Sequence, residues 1–94
     1  MGSTPGVYVV EGRIAAFNTT DTAGAGYFFV GAARTTGVTG VEVAVQYTND
    51  LEEAAMAAAD IDFVVSANNI VIQVTGIAAK TINWSAEFEY QFTS

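Results

Sequence analysis

Acidic side chains form the densest cluster of groups that could do chemistry in this 94-residue chain. The cluster comprises Asp50, Glu52, Glu53, Asp60 and Asp62. Oxygen ligands on a loop suit calcium, but the ligand spacing of an EF-hand is missing and no glycine lies between these acids. A solvated acidic loop is the alternative, because runs of charge usually face water. The sequence favours the solvated loop and predicts no metal site.

A second set of carboxylates consists of Glu87 and Glu89, with Glu11 as a possible cross-strand neighbour. Paired carboxylates can hydrolyse glycosides when a sugar cleft separates them. Glu87 and Glu89 instead fall on the polar face of one predicted strand, and no insertion long enough to form a cleft is visible. We therefore predict a soluble face or a partner contact here, and no catalytic residues.

The amino-acid composition argues against most other kinds of catalytic, metal or nucleic-acid site. The chain has no histidine, the commonest general base and metal ligand, and no cysteine for a disulfide or thiolate site. Three basic against ten acidic residues give a net charge of −7, which argues against nucleic-acid binding. No apolar run approaches the roughly 20 residues of a membrane helix, and no signal-peptide pattern is visible. We predict a protein that is not an enzyme and has no cofactor, nucleic-acid partner or membrane partner.

The three basic residues are Arg13, Arg34 and Lys80. Arg13 is positioned to pair with Glu11, Glu87 or Glu89 across strands, and such pairs are ordinary features of sheets. Contact with an acidic partner is the alternative interpretation.

Hydrophobic alternation predicts six strands in one domain, 7–94, after a flexible N-terminal arm, 1–6. The predicted strands are Val7–Phe17, Tyr27–Arg34, Val41–Tyr47, Ile61–Ser66, Ile70–Thr75 and Thr81–Thr93. Gly12 is a candidate β-bulge. Strands at this spacing, with little helix, indicate an all-β fold, an antiparallel β-sandwich with a jelly-roll-like topology and six to eight strands.

The segments between these strands carry turn signals or helix signals. Asn18–Gly26, Thr35–Gly40 and Gly76–Lys80 are predicted loops or turns, and Ala67-Asn68-Asn69 is a predicted tight turn of a hairpin. Asp50 and Glu53 have the spacing of a capping box, and alanines follow. This pattern predicts either a short helical turn around Leu51–Ala58 or an ordered loop.

The inward faces of the predicted strands contain most of the eleven aromatic residues. In the third strand Val41, Val43, Val45 and Tyr47 are predicted to face inward. In the last strand the same holds for Ile82, Trp84, Ala86, Phe88, Tyr90 and Phe92. Phe28 is the exception, because it falls outward if Tyr27 and Phe29 face the core. Apolar residues on both faces of the first two strands indicate self-association.

Two segments, Tyr8–Ala16 and Ile72–Phe88, resemble a known family. Val10-Glu11-Gly12 in the first is similar to that family's "VEG" element, and the second matches its closing pattern "VTG-x-A-x-KTI-x-W-x-A". The chain thus resembles the small β-sandwich modules of tailed-bacteriophage virion proteins, often found at the ends of tail fibres or spikes. It departs from them in the middle, where relatives often carry another tryptophan and this chain has Met56 and Phe63.

The resemblance implies a non-enzymatic structural protein of the virion, a homotrimer that contacts other virion proteins of the capsid or tail. A chain that begins at its own methionine would suit a capsid decoration or cement protein, whereas a domain of a longer chain would suit a tail-fibre tip. The alternative is a carbohydrate-binding or host-receptor-binding module whose partner is a host surface glycan, and exposed coplanar aromatic rings would favour it.

Overall fold

The computed structural model describes the backbone of residues 1–94 and every side chain except those of Asn49 and Asp50. Over these residues six antiparallel strands account for most of the chain, which confirms the all-β prediction. They are β1 (Gly6–Asn18), β2 (Ala23–Thr35), β3 (Gly40–Glu52), β4 (Asp60–Ser66), β5 (Asn69–Thr75) and β6 (Ile82–Thr93). A 3-10 turn, Ala54–Met56, connects β3 to β4. No helix in the described chain is long and apolar enough to cross a membrane.

The strands form two sheets of unequal width. One sheet has four strands in the order β3-β2-β1-β6, and β4 and β5 form a two-stranded hairpin. The hairpin turn falls at Ala67 and Asn68, as predicted, but the left-handed residue is Ala67, with a φ of 52°. Because the described sheets have four strands and two, the jelly-roll-like sandwich is not confirmed.

Strand β1 lies at the centre of the wide sheet, and its residues alternate between buried and exposed from Val10 to Asn18. Its register with β2 and β6 runs without interruption past Gly12, so the predicted bulge at Gly12 is wrong. The missing side chain instead leaves space that the Phe29 ring fills, since a Cβ on Gly12 would collide with that ring. The glycine therefore serves core packing rather than strand bending.

The bulge lies in β3. Ala32 pairs with Ala44 and Ala33 with Glu42, so Val43 is an extra residue without a partner on β2. A shift of one residue moves side chains to the opposite face of a sheet. Val41 and Val43 are accordingly exposed, at 46% and 59%, and the prediction that they face inward is wrong. Val45 and Tyr47, beyond the bulge, pack against the core as predicted.

The narrow hairpin lies over β2 and β3, and inward residues of β1 are also buried, whereas Phe88 and Tyr90 of β6 stay exposed. The Phe63 backbone N–H donates to the Tyr47 hydroxyl at 2.9 Å, and the Gly40 N–H donates to the Ala67 carbonyl at 2.7 Å. Both bonds join the hairpin to β3. The two sheets are therefore closed along the β3–β4 side.

The core lies between the hairpin and the wide sheet. Its buried apolar residues come from β1, β2, β4 and the segment around the 3-10 turn. They are Val10, Ile14, Ala16, Ala23, Tyr27, Phe29, Ala33, Met56, Ala59, Ile61 and Phe63. Gly31 allows the closest contact between the layers, because the Phe63 ring occupies the space where its Cβ would stand.

Two connecting segments differ from their predicted structure. The loop predicted over Asn18–Gly26 is a short turn, because β2 already begins at Ala23. The helical segment predicted over Leu51–Ala58 is a 3-10 turn of three residues, because β3 continues to Glu52. The Asp50 side chain of the predicted capping box lies outside the described residues. Glu53 makes no cap hydrogen bond and instead accepts one from the Gly24 N–H at 2.6 Å.

Candidate interaction groove

An open apolar groove runs along the side of the molecule where the sheets are not joined. Its floor is formed by β1 and β6 and its wall by β5, and its volume is about 580 Å³. The lining residues are Met1, Tyr8, Val10, Ile14, Asn69, Ile70, Ile72, Val74, Trp84, Ser85, Ala86, Phe88 and Tyr90. None of these described side chains is charged. We call this site the β5–β6 groove.

Antiparallel register with β1 places three aromatic residues of β6, Trp84, Phe88 and Tyr90, in this groove. Tyr90 lies opposite Val10, and Phe88 lies opposite Gly12. Both point to the inner face, as the alternation predicted, but no strand of the described chain covers them. Phe88 is 51% exposed and Tyr90 is 73% exposed, so the expectation that they lie in the core is wrong for a single chain.

Both strands that border the groove have a free edge. Strand β6 is hydrogen-bonded only to β1, and β5 only to β4. An unpaired strand edge presents a row of backbone donors and acceptors and is a template for another strand. The groove thus combines apolar side chains with unsatisfied backbone groups, a combination that suits a β-strand better than a small apolar molecule.

The aromatic rings around the groove do not form a flat platform. The ring planes of Tyr8 and Tyr90 are inclined by 42°, those of Tyr8 and Phe92 by 44°, and those of Phe29 and Phe88 by 48°. The arrangement differs from the coplanar rings expected of a carbohydrate-binding face.

The outer face of the wide sheet carries a second set of exposed apolar residues. Phe28 and Val30 face outward, as predicted, at 43% and 45% exposure. Phe17 and Val9 on β1 are similarly exposed. Charged groups surround Phe28 and Val30, with Arg13 opposite Phe28 and Glu11 opposite Val30.

The predicted cross-strand ion pair of Arg13 is present on that outer face. An Nη atom of Arg13 lies 2.6 Å from a carboxylate oxygen of Glu87.

The Nζ atom of Lys80 lies 3.1 Å from a carboxylate oxygen of Asp21. This ion pair joins the turn after β1 to the segment before β6. Arg34 lies on the same face of β2 as Phe28, opposite Val7. Glu89 on β6 lies opposite Glu11 on β1, and together with Glu87 they line a concave area of the outer face with a volume of about 840 Å³.

Three carboxylates of the acidic cluster each accept a hydrogen bond from a different group of the protein. Glu52 accepts a hydrogen bond from the Tyr27 hydroxyl at 3.3 Å, and Asp62 accepts one from Tyr47 at 3.0 Å. Asp60 accepts from the backbone of Ile61. Among the side chains that are described, which exclude Asp50, no three acids come together in a group that could hold a metal ion.

These contacts change the acidity of the two tyrosines. Burial, together with the negative charge of Glu52, raises the pKa of Tyr27 to about 12. Burial also raises the pKa of Tyr47, and the hydrogen bond to Asp62 acts in the same direction. The Phe63 N–H bonded to the Tyr47 oxygen partly opposes this shift, because it stabilises the phenolate.

Asn68 is a connecting residue that the turn signal alone did not indicate. Its amide donates to the backbone carbonyls of Met1 and Gly2, and its carbonyl oxygen accepts from the Thr35 hydroxyl. The Gly2 N–H donates to the Tyr8 hydroxyl at 3.0 Å. The N-terminal segment thereby contacts its own domain beside the groove. Gly6 of the predicted arm belongs to β1.

A comparison of the chain with protein-family models, curated proteins and solved structures finds no match. The resemblance to phage virion modules therefore depends on the two quoted segments alone.

Proposed function

We propose that this chain is a non-enzymatic structural protein of a bacteriophage virion that acts through protein–protein contacts. Its place is in the capsid, as a decoration or cement protein, or in a tail fibre or spike. The observation that carries the proposal is the β5–β6 groove, a largely apolar surface without charged side chains and with a free strand edge on either side. Exposed apolar surfaces of this kind mark interaction sites in soluble proteins.

The dimensions of the chain support a component of a larger assembly. Its radius of gyration is 14.9 Å, whereas a compact domain of this length has about 12 Å. The excess reflects an elongated shape, 45 Å long and 20 by 17 Å across, whose length is that of strands of 12 and 13 residues. We propose that the assembly is a homotrimer and that the β-sandwich is complete only within it.

The test is the composition of particles from a phage that encodes this chain. Density-gradient fractions are analysed by quantitative mass spectrometry, with the major capsid protein as the internal standard. The proposal expects the chain in the particle fraction at a fixed ratio, with a copy number divisible by three. Recovery of the chain only in the soluble fraction would contradict it. Separate analysis of tailless heads and free tails assigns the location.

A glycan-binding module is the second candidate, because Trp84, Tyr8 and Tyr90 all line the groove. The inclined rings weigh against it, since stacking on a sugar needs a flat aromatic surface. Titration with a panel of bacterial surface oligosaccharides decides between the two. Saturable binding that the Trp84→Ala variant abolishes would favour the glycan module.

A further inference from the structure

We infer that the β5–β6 groove is filled by a second copy of this chain, with β6 of one copy paired along the free edge of β5 of the next. The inference rests on the proposed function, because it names the partner that first occupies the groove. Three features carry it: the difference between the two edges of the wide sheet, the side chains on β5 and β6, and the distribution of charge.

Of the two edge strands of the wide sheet, β3 is protected against pairing with another strand and β6 is not. Strand β3 has two register irregularities, and Glu42 lies on the inner-face side, opposite the buried Ala33. Bulges and inward charges are the usual protection of an edge against unwanted strands. Strand β6 has neither, because its register with β1 is continuous from Ile82 to Thr93 and its groove-facing residues are uncharged. The β6 edge is open to a partner strand where the β3 edge is not.

The free edges of β5 and β6 carry complementary side chains. Strand β5 presents Ile70, Ile72 and Val74 to the groove, at alternate positions. Strand β6 presents Trp84, Phe88 and Tyr90. Cross-strand pairs between aromatic and β-branched residues are among the favourable pairs of antiparallel sheets. Within one copy these two sets lie on different sheets, whereas pairing between copies makes them neighbours.

Charge restricts where two copies can meet. Each copy has a net charge of −7, so a contact must avoid the acidic parts of the surface. The outer face of the wide sheet carries Glu11, Glu87 and Glu89 around one arginine. The described lining of the groove has no charged side chain. A neutral contact through the groove is thus the arrangement that keeps the carboxylates of both copies in water.

Pairing of β6 with β5 of the next copy is a head-to-tail contact, which repeats until a ring closes. Three copies would form three joined sheets, each with the order β4-β5 of one copy followed by β6-β1-β2-β3 of its neighbour. In that ring no copy retains a free β5 or β6 edge. The strand order accounts for a closed ring, and the number of copies, three, comes from the proposed function.

The experiment measures the mass of the purified chain by multi-angle light scattering at micromolar concentration. Wild type is expected at three times the chain mass of 9.8 kDa. Tyr90→Lys and Val74→Lys, one on each side of the groove, are each expected at a single chain mass. Tyr90 and Val74 are exposed in one copy, at 73% and 46%, so the variants should keep the circular-dichroism spectrum of a folded β protein.

The matched control is Phe28→Lys, which places the same charge on the outer face at a residue with 43% exposure. It is expected to keep the trimer mass. Each lysine lowers the negative charge of a copy, so general repulsion cannot explain a loss of association in the groove variants alone.

A stable wild-type monomer would overturn the inference, and an apolar dye that binds this monomer in the groove would assign the site to a small ligand instead. Loss of association in Phe28→Lys alone would move the contact to the outer face. A wild-type dimer that both groove variants dissociate supports the groove contact and overturns the ring of three. None of these measurements uses phage particles, so a trimer that is absent from virions would overturn only the proposed function.

Discussion

The two halves of the wide sheet have similar apolar sequences but opposite surroundings. On the β2–β3 half, Tyr27 and Phe29 are covered and have an exposure of 2% or less. On the β1–β6 half, Phe88 and Tyr90 occupy equivalent inward positions and remain more than half exposed. The difference arises from the width of the second sheet, which has two strands above a sheet of four. An alternating strand specifies which face is apolar, whereas the number of covering strands determines whether that face is buried.

The largest expected effect separates the covered half from the open half. Phe63→Ala should lower the free energy of unfolding by about 3–5 kcal/mol, the usual cost of removing a buried aromatic ring, at any protein concentration. Phe88→Ala, the matched change in the open half, should destabilise the protein by an amount that grows with concentration, because it weakens a contact between copies. Urea unfolding at two concentrations twentyfold apart measures both. A concentration-independent loss for Phe88→Ala would make the two halves equivalent.

Close packing against glycine gives the next largest effect, and it concerns the buried rings of Phe29 and Phe63. Gly12→Ala and Gly31→Ala should each cost about 1–3 kcal/mol, because a Cβ at either position overlaps a buried phenylalanine ring. Gly26→Ala is the control, since its Cβ would meet only the Leu51 Cβ at an ordinary 3.9 Å. In thermal melts, the melting temperature of Gly26→Ala should be close to that of wild type, and those of the other two variants should be lower. Equal melting temperatures for all three would contradict the packing described for Phe29 and Phe63.

Alkaline pH should also weaken the covered half. The folded chain keeps the Tyr27 proton up to a pKa of about 12, whereas the unfolded chain releases it near 10. The unfolded state therefore binds fewer protons between pH 10 and 12, and stability falls there by up to about 1.4 kcal/mol per pH unit. Tyr27→Phe should reduce this slope, which urea unfolding at several pH values between about 10 and 12 measures. An unchanged slope in this variant would show that Tyr27 is not the group responsible.

The smallest expected effect concerns the ion pair on the outer face. Arg13 and Glu87 are 66% and 75% exposed, so Arg13→Gln should change the free energy of unfolding by no more than about 1 kcal/mol. Added salt should reduce the difference further. Chemical unfolding at low and high ionic strength measures it. A loss that salt does not reduce would indicate that Arg13 does more than pair with Glu87.

Sequence patterns predicted all six strands, because their apolar residues alternate or run together in the ways that strands require. In β3 they failed to predict which valines face inward, because valines at alternate positions conceal a bulge that only the pairing with β2 reveals. They also failed at Ala23–Gly26, where small residues typical of loops are held in a strand by pairing with β1. In both cases a neighbouring strand determined the outcome.

The groove was only partly predictable. The alternation of β6 indicated which residues face inward, but no local pattern shows that the hairpin stops short of them. The role of Asn68 was hidden for a similar reason, since its partners Met1 and Thr35 are distant in sequence. The two-sided apolar character of β1 and β2 did predict self-association, and that prediction is still to be tested.

Amide hydrogen exchange in β6 tests the paired-edge account most directly. In a single copy, only every second amide of an edge strand is hydrogen-bonded, because the others point away from β1. If β6 pairs with β5 of another copy, consecutive amides from Trp84 to Tyr90 should be protected in wild type, and alternate ones should lose protection in Tyr90→Lys. Alternating protection in wild type at micromolar concentration would show a free edge and contradict the account.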